Sequence, residues 1–213
     1  MERKGHMSDK LDLLRQEEKL HRELGNKEQL AYVLGAQAVL LAQSGQVPSA
    51  MDKFDEAERL FREIEHQVGV EKILWSEVNI LRECGSPNLI DALQRQEAFY
   101  RSTGEEEELA QCLFDQVVAF HDQENLSREE EVLEKQMPLW EHLGKSDRLV
   151  ACYCMAAMCL VELNVDLEKA LKFVTEVEHI CRKTNDQQRL AAVAGTKMVV
   201  TAACEAHGQS ARP

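Results

Sequence analysis

The sequence predicts an all-α protein: a right-handed superhelical solenoid of stacked antiparallel helix pairs, with about five repeats. One helical pattern recurs with a period of about 40 residues along the 213-residue chain. With only 10 Gly, 4 Pro and 5% aromatic residues, the composition disfavours a β-sandwich or barrel. Hydrophobic residues make up 44% of the chain and charged residues 30%, which suits a buried core beneath a solvated surface.

The repeat is anchored near the end of one helix of each pair, which we call the anchor helix. Anchor positions separated by 40, 39, 40 and 41 residues are Arg22, Arg62, Arg101, Glu141 and Arg182. Apolar residues two positions earlier are Leu20, Leu60, Phe99, Leu139 and Ile180. The residues four positions before each anchor are Glu18, Glu58, Glu97, Met137 and Glu178. Because Glu four residues before Arg is a favourable helical ion pair, we interpret these pairs as a brace on a solvated helix face.

A second, more apolar helix lies between successive anchor helices, and we call it the apolar helix. Small residues that would let neighbouring helices approach recur within it: Gly35, Ala38, Ala119, Ala157 and Gly195. Apolar periodicity interrupted by short polar links predicts helices over residues 8–24, 27–43, 48–64, 68–84, 88–103, 106–123, 128–143, 146–163, 166–183 and 187–206.

Three local signals bear on the boundaries of individual helices. Pro138 falls inside the seventh predicted helix and is expected to kink or split it. Ser127 and Glu130 fit a capping box that would open the same helix. The four carboxylates of residues 105–108 suit a helix N-terminus, where the helix dipole favours negative charge.

The stretch of residues 45–57 resembles the tetratricopeptide consensus. Gly45 matches its turn, and Ala50, Phe54 and Ala57 match its second helix. The period resembles a long variant of about 40 residues, as in kinesin-light-chain-like arrays and arrays associated with STAND-type signalling NTPases, whereas the common repeat has about 34.

The resemblance covers residues 8–206 and weakens after the first full repeat, where Leu89 and Glu129 replace the Ala of the anchor helix. It implies that the apolar helices line a concave face that binds other proteins. Tetratricopeptide-like arrays of this kind are expected to be non-enzymatic.

Domain organisation and location follow from composition. We predict a flexible N-terminus over residues 1–7, one repeat domain over 8–206 and a disordered tail over 207–213. The N-terminal residues lack the apolar core of a signal peptide, and no apolar run reaches the roughly 18 residues of a membrane span. Seven cysteines without a CxxC pair agree with a reducing compartment. A cytoplasmic protein is therefore expected.

The charge of the chain bears on its partners. A net charge of −13, from 25 basic and 38 acidic residues, repels phosphate backbones and anionic lipid head groups. Neither nucleic acid nor a membrane is an expected partner, whereas a basic or amphipathic protein segment is. The alternative is that the acidity only keeps the protein soluble.

No sequence motif points to catalysis, a cofactor or a metal. The P-loop, GxGxxG and HExxH patterns do not occur. Cys152 and Cys154 are two residues apart and would point to different faces of a helix. His121 and Asp122 end a predicted helix, where they are interpreted as a polar terminus. We predict no catalytic residue, no cofactor and no bound metal.

Candidate partner-binding residues come from matching positions of the apolar helices. They are Lys72, Trp75, Asn79, Arg82, Gln111, Phe114, His121 and Met158. Trp75 and Phe114 would act as apolar anchors, and the polar members would hydrogen-bond a bound backbone or carboxylate. The alternative interpretation places Trp75, Phe114 and Met158 in the ordinary core between repeats.

The predicted function is a non-enzymatic interaction module that binds a peptide or helix of a partner protein in its concave groove. The alternative is a structural or oligomerisation segment of a larger signalling or scaffold protein. The predicted helix over residues 187–206 is unusually apolar for a terminal element, and solenoid ends need a polar cap. It is either an unpaired apolar helix or the contact of a homo-oligomer.

Overall fold

The computed structural model describes residues 2–210 of the backbone and residues 8–207 of the side chains. Within this range the regular elements are ten helices, which fit about five helix pairs. They are α1 (Glu2–Leu24), α2 (Lys27–Gln43), α3 (Val47–Glu63), α4 (Gln67–Glu83), α5 (Leu89–Thr103), α6 (Glu106–Asp122), α7 (Leu126–His142), α8 (Ser146–Leu163), α9 (Leu167–Lys183) and α10 (Gln187–Ser210). The predicted all-α class of stacked antiparallel helix pairs is confirmed.

The predicted helix boundaries agree with the structure within two residues, except at the two ends of the chain. There α1 already begins at Glu2 and α10 extends to Ser210. The flexibility predicted for residues 1–7 and the disorder predicted for 207–213 stay predictions. Residues 1 and 211–213 lie outside the described part of the chain.

The helices form two compact units, Met1–Phe99 and Tyr100–Pro213. In the first unit α1 packs on α2, α2 on α3 and α3 on α4, while α2 also contacts α4. In the second unit α6 to α10 pack in the same consecutive order, and α8 also contacts α10. Helices joined by such short turns run antiparallel, and contacts between alternate helices stack one pair on the next. The single repeat domain over 8–206 stays a prediction.

Left-handed residues end the anchor helices. The five residues Gly25, Glu65, Gly104, Gly144 and Asn185 have positive φ angles of 66°, 54°, 76°, 66° and 55°. After α1, the Asn26 N–H donates to the His21 carbonyl at 3.0 Å, which is the hydrogen bond of a Schellman motif. The repeated sequence pattern thus ends where the backbone turns.

Among the small residues predicted to let helices approach, Gly35 does so, whereas the prediction is wrong for Gly195, since nothing lies within 4 Å of its Cβ position. A Cβ on Gly35 would lie 2.6 Å from Cδ1 of Ile73, so glycine allows α2 to approach α4. A Cβ on Gly69 would overlap the Phe61 ring. The Phe61 ring is fully buried and packs edge-on against Tyr32, with 4.9 Å between the ring centroids.

The start of α7 differs from its prediction, because the capping residue is Asn125. Asn125 precedes Leu126, and its side chain accepts a hydrogen bond from the Arg128 backbone N–H at 3.4 Å. Ser127 lies inside the helix, so the predicted capping box is wrong. Farther along, α7 continues through Pro138 without being split.

The repeated Glu–Arg pairs form, but their glutamates are largely buried. The ion pairs Arg22–Glu18 at 2.8 Å and Arg62–Glu58 at 2.7 Å are confirmed. Yet the Glu18 and Glu58 side chains are only 14% and 12% exposed. Gln37 of the following helix donates to Glu18 at 2.9 Å. The solvated-face interpretation is therefore wrong for the glutamates, because other helices contact them: Gln37 of α2 reaches Glu18, and Arg95 of α5 reaches Glu58.

Candidate partner-binding surface

Four of the predicted site residues lie on one face of α4 in the first unit. Lys72, Trp75, Asn79 and Arg82 are spaced by three or four residues, which brings their side chains to one side of a helix. Trp75 is 61% exposed. The alternative interpretation of Trp75 as core is therefore wrong. Val68 is also exposed and lies on the same face, two helical turns before Trp75. The seven-residue spacing between the two is the sequence signal that places Val68 on this face.

Local contacts order the polar side chains of this face. The Asn79 side-chain amide donates to the Trp75 carbonyl at 2.9 Å, and Arg82 donates to Asn79 Oδ1 at 3.4 Å. Lys72 Nζ lies 5.8 Å from the centroid of the Tyr32 ring, a cation–π contact. Side chains that are already ordered lose less entropy when they bind a partner.

The other four predicted residues lie in the second unit. On α6, Gln111 and His121 are exposed and Phe114 is half-buried. Met158 on α8 is also half-buried, so neither Phe114 nor Met158 is fully in the core. Between Phe114 and His121, Val118 is exposed; it occupies the repeat position of Asn79 and Met158 but was not among the predicted partner-binding residues.

His121 and Met158 line the same cavity, which we call the α6–α8 cavity. It has a volume of about 230 Å³. Its lining residues are His121, Leu126, Glu129, Cys154, Met155, Met158, Cys159 and Glu162. The structure therefore brings together two predicted residues that are far apart in the sequence.

A buried carboxylate faces this cavity. Glu129 is 2% exposed, and its Oε2 lies 3.1 Å from Nδ1 of His121. The hydrogen bond that the His121 imidazole donates to the Glu129 carboxylate raises the pKa of His121 above its ordinary value, so the imidazolium form is favoured. The sequence signal for Glu129 was that it replaces the Ala found at this repeat position. Its pairing with His121 of the preceding helix was not predicted.

The thiol beside Glu129 is held in its neutral form. Burial first, and the nearby Glu129 carboxylate second, raise the pKa of Cys159 to about 12. Burial likewise raises the pKa of Cys152 to about 12. Because the thiolate is the reactive form of cysteine, both side chains behave as packing residues at neutral pH.

A second buried carboxylate, Glu77, lies in the first unit. It is fully buried and hydrogen-bonds to Arg95. Arg95 also donates to Asp55 at 2.8 Å and to Glu58 at 3.4 Å. Burial is the largest cause that raises the pKa of Glu77 to about 7; the opposing charge of Arg95 is a smaller effect, and the Asp55 and Glu58 carboxylates act in the same direction as burial. The sequence signal that could have pointed to Glu77 is the polar residue Gln37 at the matching position one repeat earlier.

The described residues hold neither a metal-ligand cluster nor a membrane-spanning helix. Among the described side chains, no group of three or more His, Cys, Asp or Glu residues is arranged to hold a metal ion. None of the described helices combines the length and the apolar character that crossing a bilayer requires.

Comparison with solved structures shows what this fold resembles. The apo form of RapI aligns over 98% of this chain and 79% of its own, with 13% sequence identity and a TM-score of 0.52. The chain has a tetratricopeptide-like fold.

Other solved tetratricopeptide-like proteins align more loosely. A kinesin-light-chain protein of Podosopora anserina with nearly identical TPR-like repeats has 12% identity, covers 100% of both chains and has a TM-score of 0.42. BtubC from P. vanneervenii has 12% identity, with 93% of this chain and 92% of its own covered and a TM-score of 0.37. No family model matches the tetratricopeptide-like chain, and neither does any curated protein.

Proposed function

We propose that this tetratricopeptide-like chain is a non-enzymatic protein-interaction module that binds a peptide or helix of a partner protein through exposed faces of its apolar helices. The observation that carries the proposal is the 61% exposure of Trp75. Tryptophan is highly buried on average, and it is enriched among the residues that dominate interface energies. An exposed indole on a well-packed helix is therefore best explained by a partner.

The neighbours of Trp75 suit such a partner. Lys72 and Arg82 place positive charge on either side of the indole, and the Asn79 amide is held beside it. These donors would bind backbone carbonyls or a carboxylate around an apolar anchor of the partner. The net charge of −13 supports a protein partner over nucleic acid or a lipid surface. A cytoplasmic location is proposed with it.

The test compares partners captured by the wild-type chain and by two variants. Trp75→Ala removes the anchor, and Leu24→Ala removes an exposed apolar side chain elsewhere in the same unit. We expect a partner that the wild type and Leu24→Ala retain and Trp75→Ala loses. With that partner purified, calorimetry should show at least about 30-fold weaker binding for Trp75→Ala, equivalent to about 2 kcal/mol.

Circular dichroism separates the binding role from a folding role. The helical signal of Trp75→Ala should equal that of the wild type, because the indole is exposed. Unchanged partner binding by Trp75→Ala, or loss of its helical signal, would contradict the proposed surface.

A second candidate function is a structural or oligomerisation segment of a larger signalling or scaffold protein. The observation that favours it is the exposed apolar face of α10, where Met198 is 73% exposed and Val199 is also exposed. Ala194 and Ala202 lie beside Met198 along a shallow cleft of about 480 Å³. Contiguous exposed apolar surface marks an interaction site, and a second copy of the chain is the proposed occupant.

A further inference from the structure

We propose that the α6–α8 cavity is a subsite for one basic side chain, lysine or arginine, of the bound partner. The inference rests on the proposed interaction function and names the chemistry that this part of the surface recognises. It concerns the second unit alone, and its residues come from α6, α7 and α8.

The first argument is the position of Glu129. In two other repeats the matching residues are Ala50 and Ala170, and both are buried. A third repeat has the half-buried Leu89 at this position, so helix packing takes an apolar side chain here and needs no charge. A carboxylate in its place carries a desolvation cost unless a positive partner compensates it. A residue that violates the local packing rule in this way is expected at a functional site.

The second argument is the size of the cavity. Small-molecule sites usually enclose about 300–1,000 Å³, whereas this cavity has about 230 Å³. It suits a single side chain rather than a whole small ligand. Because the cavity opens on a helical face, the side chain that enters it would belong to a longer segment lying across the surface.

The third argument is the arrangement of the lining. Met155 and Met158 supply flexible thioether walls, which pack well against an aliphatic stem. Glu129 is buried and Glu162 is exposed on α8. Lysine and arginine combine an aliphatic stem with a charged end, and this is the combination that the cavity complements.

His121 compensates Glu129 when no partner is bound. Its imidazole lies 3.1 Å from the carboxylate, yet the side chain is 67% exposed. The charged groups that act on His121 are Glu129 on α7, Asp122 on α6 and Glu162 on α8, and all three favour its protonated form. The Cys159 thiol stays neutral. A basic side chain of the partner would replace the imidazolium, so binding should strengthen as His121 loses its proton.

The test uses small cations that reproduce the two side chains. With ¹³C-methyl methionine labelling, n-butylammonium and n-butylguanidinium are titrated into the full chain, with n-butanol as the neutral probe. We expect saturable shifts of the Met155 and Met158 methyl signals with the cations and none with n-butanol. Binding should strengthen at least twofold between pH 6 and pH 8. The stronger of the two cations identifies lysine or arginine.

Two variants test the carboxylate. Glu129→Gln should weaken cation binding at least tenfold. Glu131→Gln, an exposed residue of the same helix that pairs with Arg128 at 2.7 Å, should leave binding unchanged. Glu162→Gln removes the exposed carboxylate without touching the buried one and should weaken binding at least twofold. If Glu129→Gln does not fold, Glu162→Gln decides the outcome.

Equal shifts with n-butanol and with the cations would overturn the subsite. Cation binding by Glu129→Gln as strong as that of the wild type would also overturn it. If Glu129→Gln does not fold, the same result with Glu162→Gln would do so. This failure is distinct from failure of the proposed function. The subsite is tested with small cations alone, whereas the proposed function is tested by the dependence of partner capture on Trp75. Loss of the subsite with Trp75-dependent capture intact would remove only the basic side chain from the description of the partner.

Discussion

At the scale of single residues, the buried ionisable groups depart most from the repeat pattern. Glu77 occupies the position at which Gln37 stands one repeat earlier, and both side chains are buried. Gln37 remains neutral and donates to Glu18 at 2.9 Å. Glu77 must share Arg95 with Asp55 and Glu58. A neutral side chain would satisfy this position at lower cost.

The pH dependence of stability should report on Glu77. Its pKa is about 7 in the folded chain against an ordinary value of 4.5, so the folded state holds the proton more tightly than the unfolded state. The stabilising contribution is full below pH 4.5 and is lost as pH rises towards 7. Glu77→Gln should therefore be more stable than the wild type at pH 8, by up to about 3 kcal/mol.

Urea denaturation of both proteins between pH 4 and pH 8 measures this difference. The advantage of Glu77→Gln should shrink as the pH falls, since wild-type Glu77 then becomes neutral. Glu131→Gln is the control, because Glu131 is exposed and should leave the pH profile unchanged. A Glu77→Gln variant that is less stable at pH 8 would mean that the ion pair with Arg95 stabilises the fold.

Two glycines should respond in opposite ways to alanine. A methyl group on Gly69 would overlap the buried Phe61 ring, and nothing lies within 4 Å of the corresponding position on Gly195. Gly69→Ala should lower the free energy of unfolding by about 1–3 kcal/mol. Gly195→Ala should raise it by up to about 1 kcal/mol, because alanine favours the helix. Chemical denaturation checks both, and equal effects of the two substitutions would refute the close approach of α4 to Phe61.

At the scale of the helices, Pro138 is the local weakness of α7. Its ring is exposed, while Met137 and Trp140 on either side are buried and hold the helix against its neighbours. Proline has no N–H for the carbonyl one turn earlier, so this hydrogen bond is lost even though α7 continues. The packing of Met137 and Trp140 therefore offsets the loss of the backbone hydrogen bond at Pro138.

Hydrogen exchange should reveal this weakness. Amides around Pro138 are expected to exchange faster than those of α3, which matches the tetratricopeptide consensus well. Pro138→Ala should raise the thermal unfolding temperature, with a gain in stability of up to about 3 kcal/mol. A lower unfolding temperature would show instead that the packing of α7 depends on the proline.

At the scale of the whole molecule, the apolar face of α10 bears on self-association. If a second copy covers this face, the apparent mass in light scattering should rise with protein concentration. Met198→Glu should keep the chain monomeric, because a charge would be buried in the contact. Leu24→Glu places the same charge at another exposed apolar residue and should associate like the wild type. A wild type that is monomeric at every concentration would exclude this candidate.

The sequence was a good guide to the elements and a poorer guide to the site. Helix ends follow from local signals such as Gly25 and Gly144, which adopt positive φ angles where the repeats turn. The exposure of Trp75 did not follow from its spacing, because one helical face fits both a core and a binding surface. The burial of the repeated glutamates was not predicted for a related reason. A Glu–Arg spacing of four residues is the same on a buried and on an exposed side of a helix.

The sequence by itself determined that this chain is a helical repeat protein. The apolar periodicity of each helix and the repeat period of about 40 residues both lie in the order of residues along the chain. Only the tertiary structure decided which side chains meet. His121 and Glu129 come from different helices, as do Glu77 and Arg95. Their pairing, burial and charge depend on how α6 packs on α7 and on how Arg95 reaches Glu77, which no local pattern encodes.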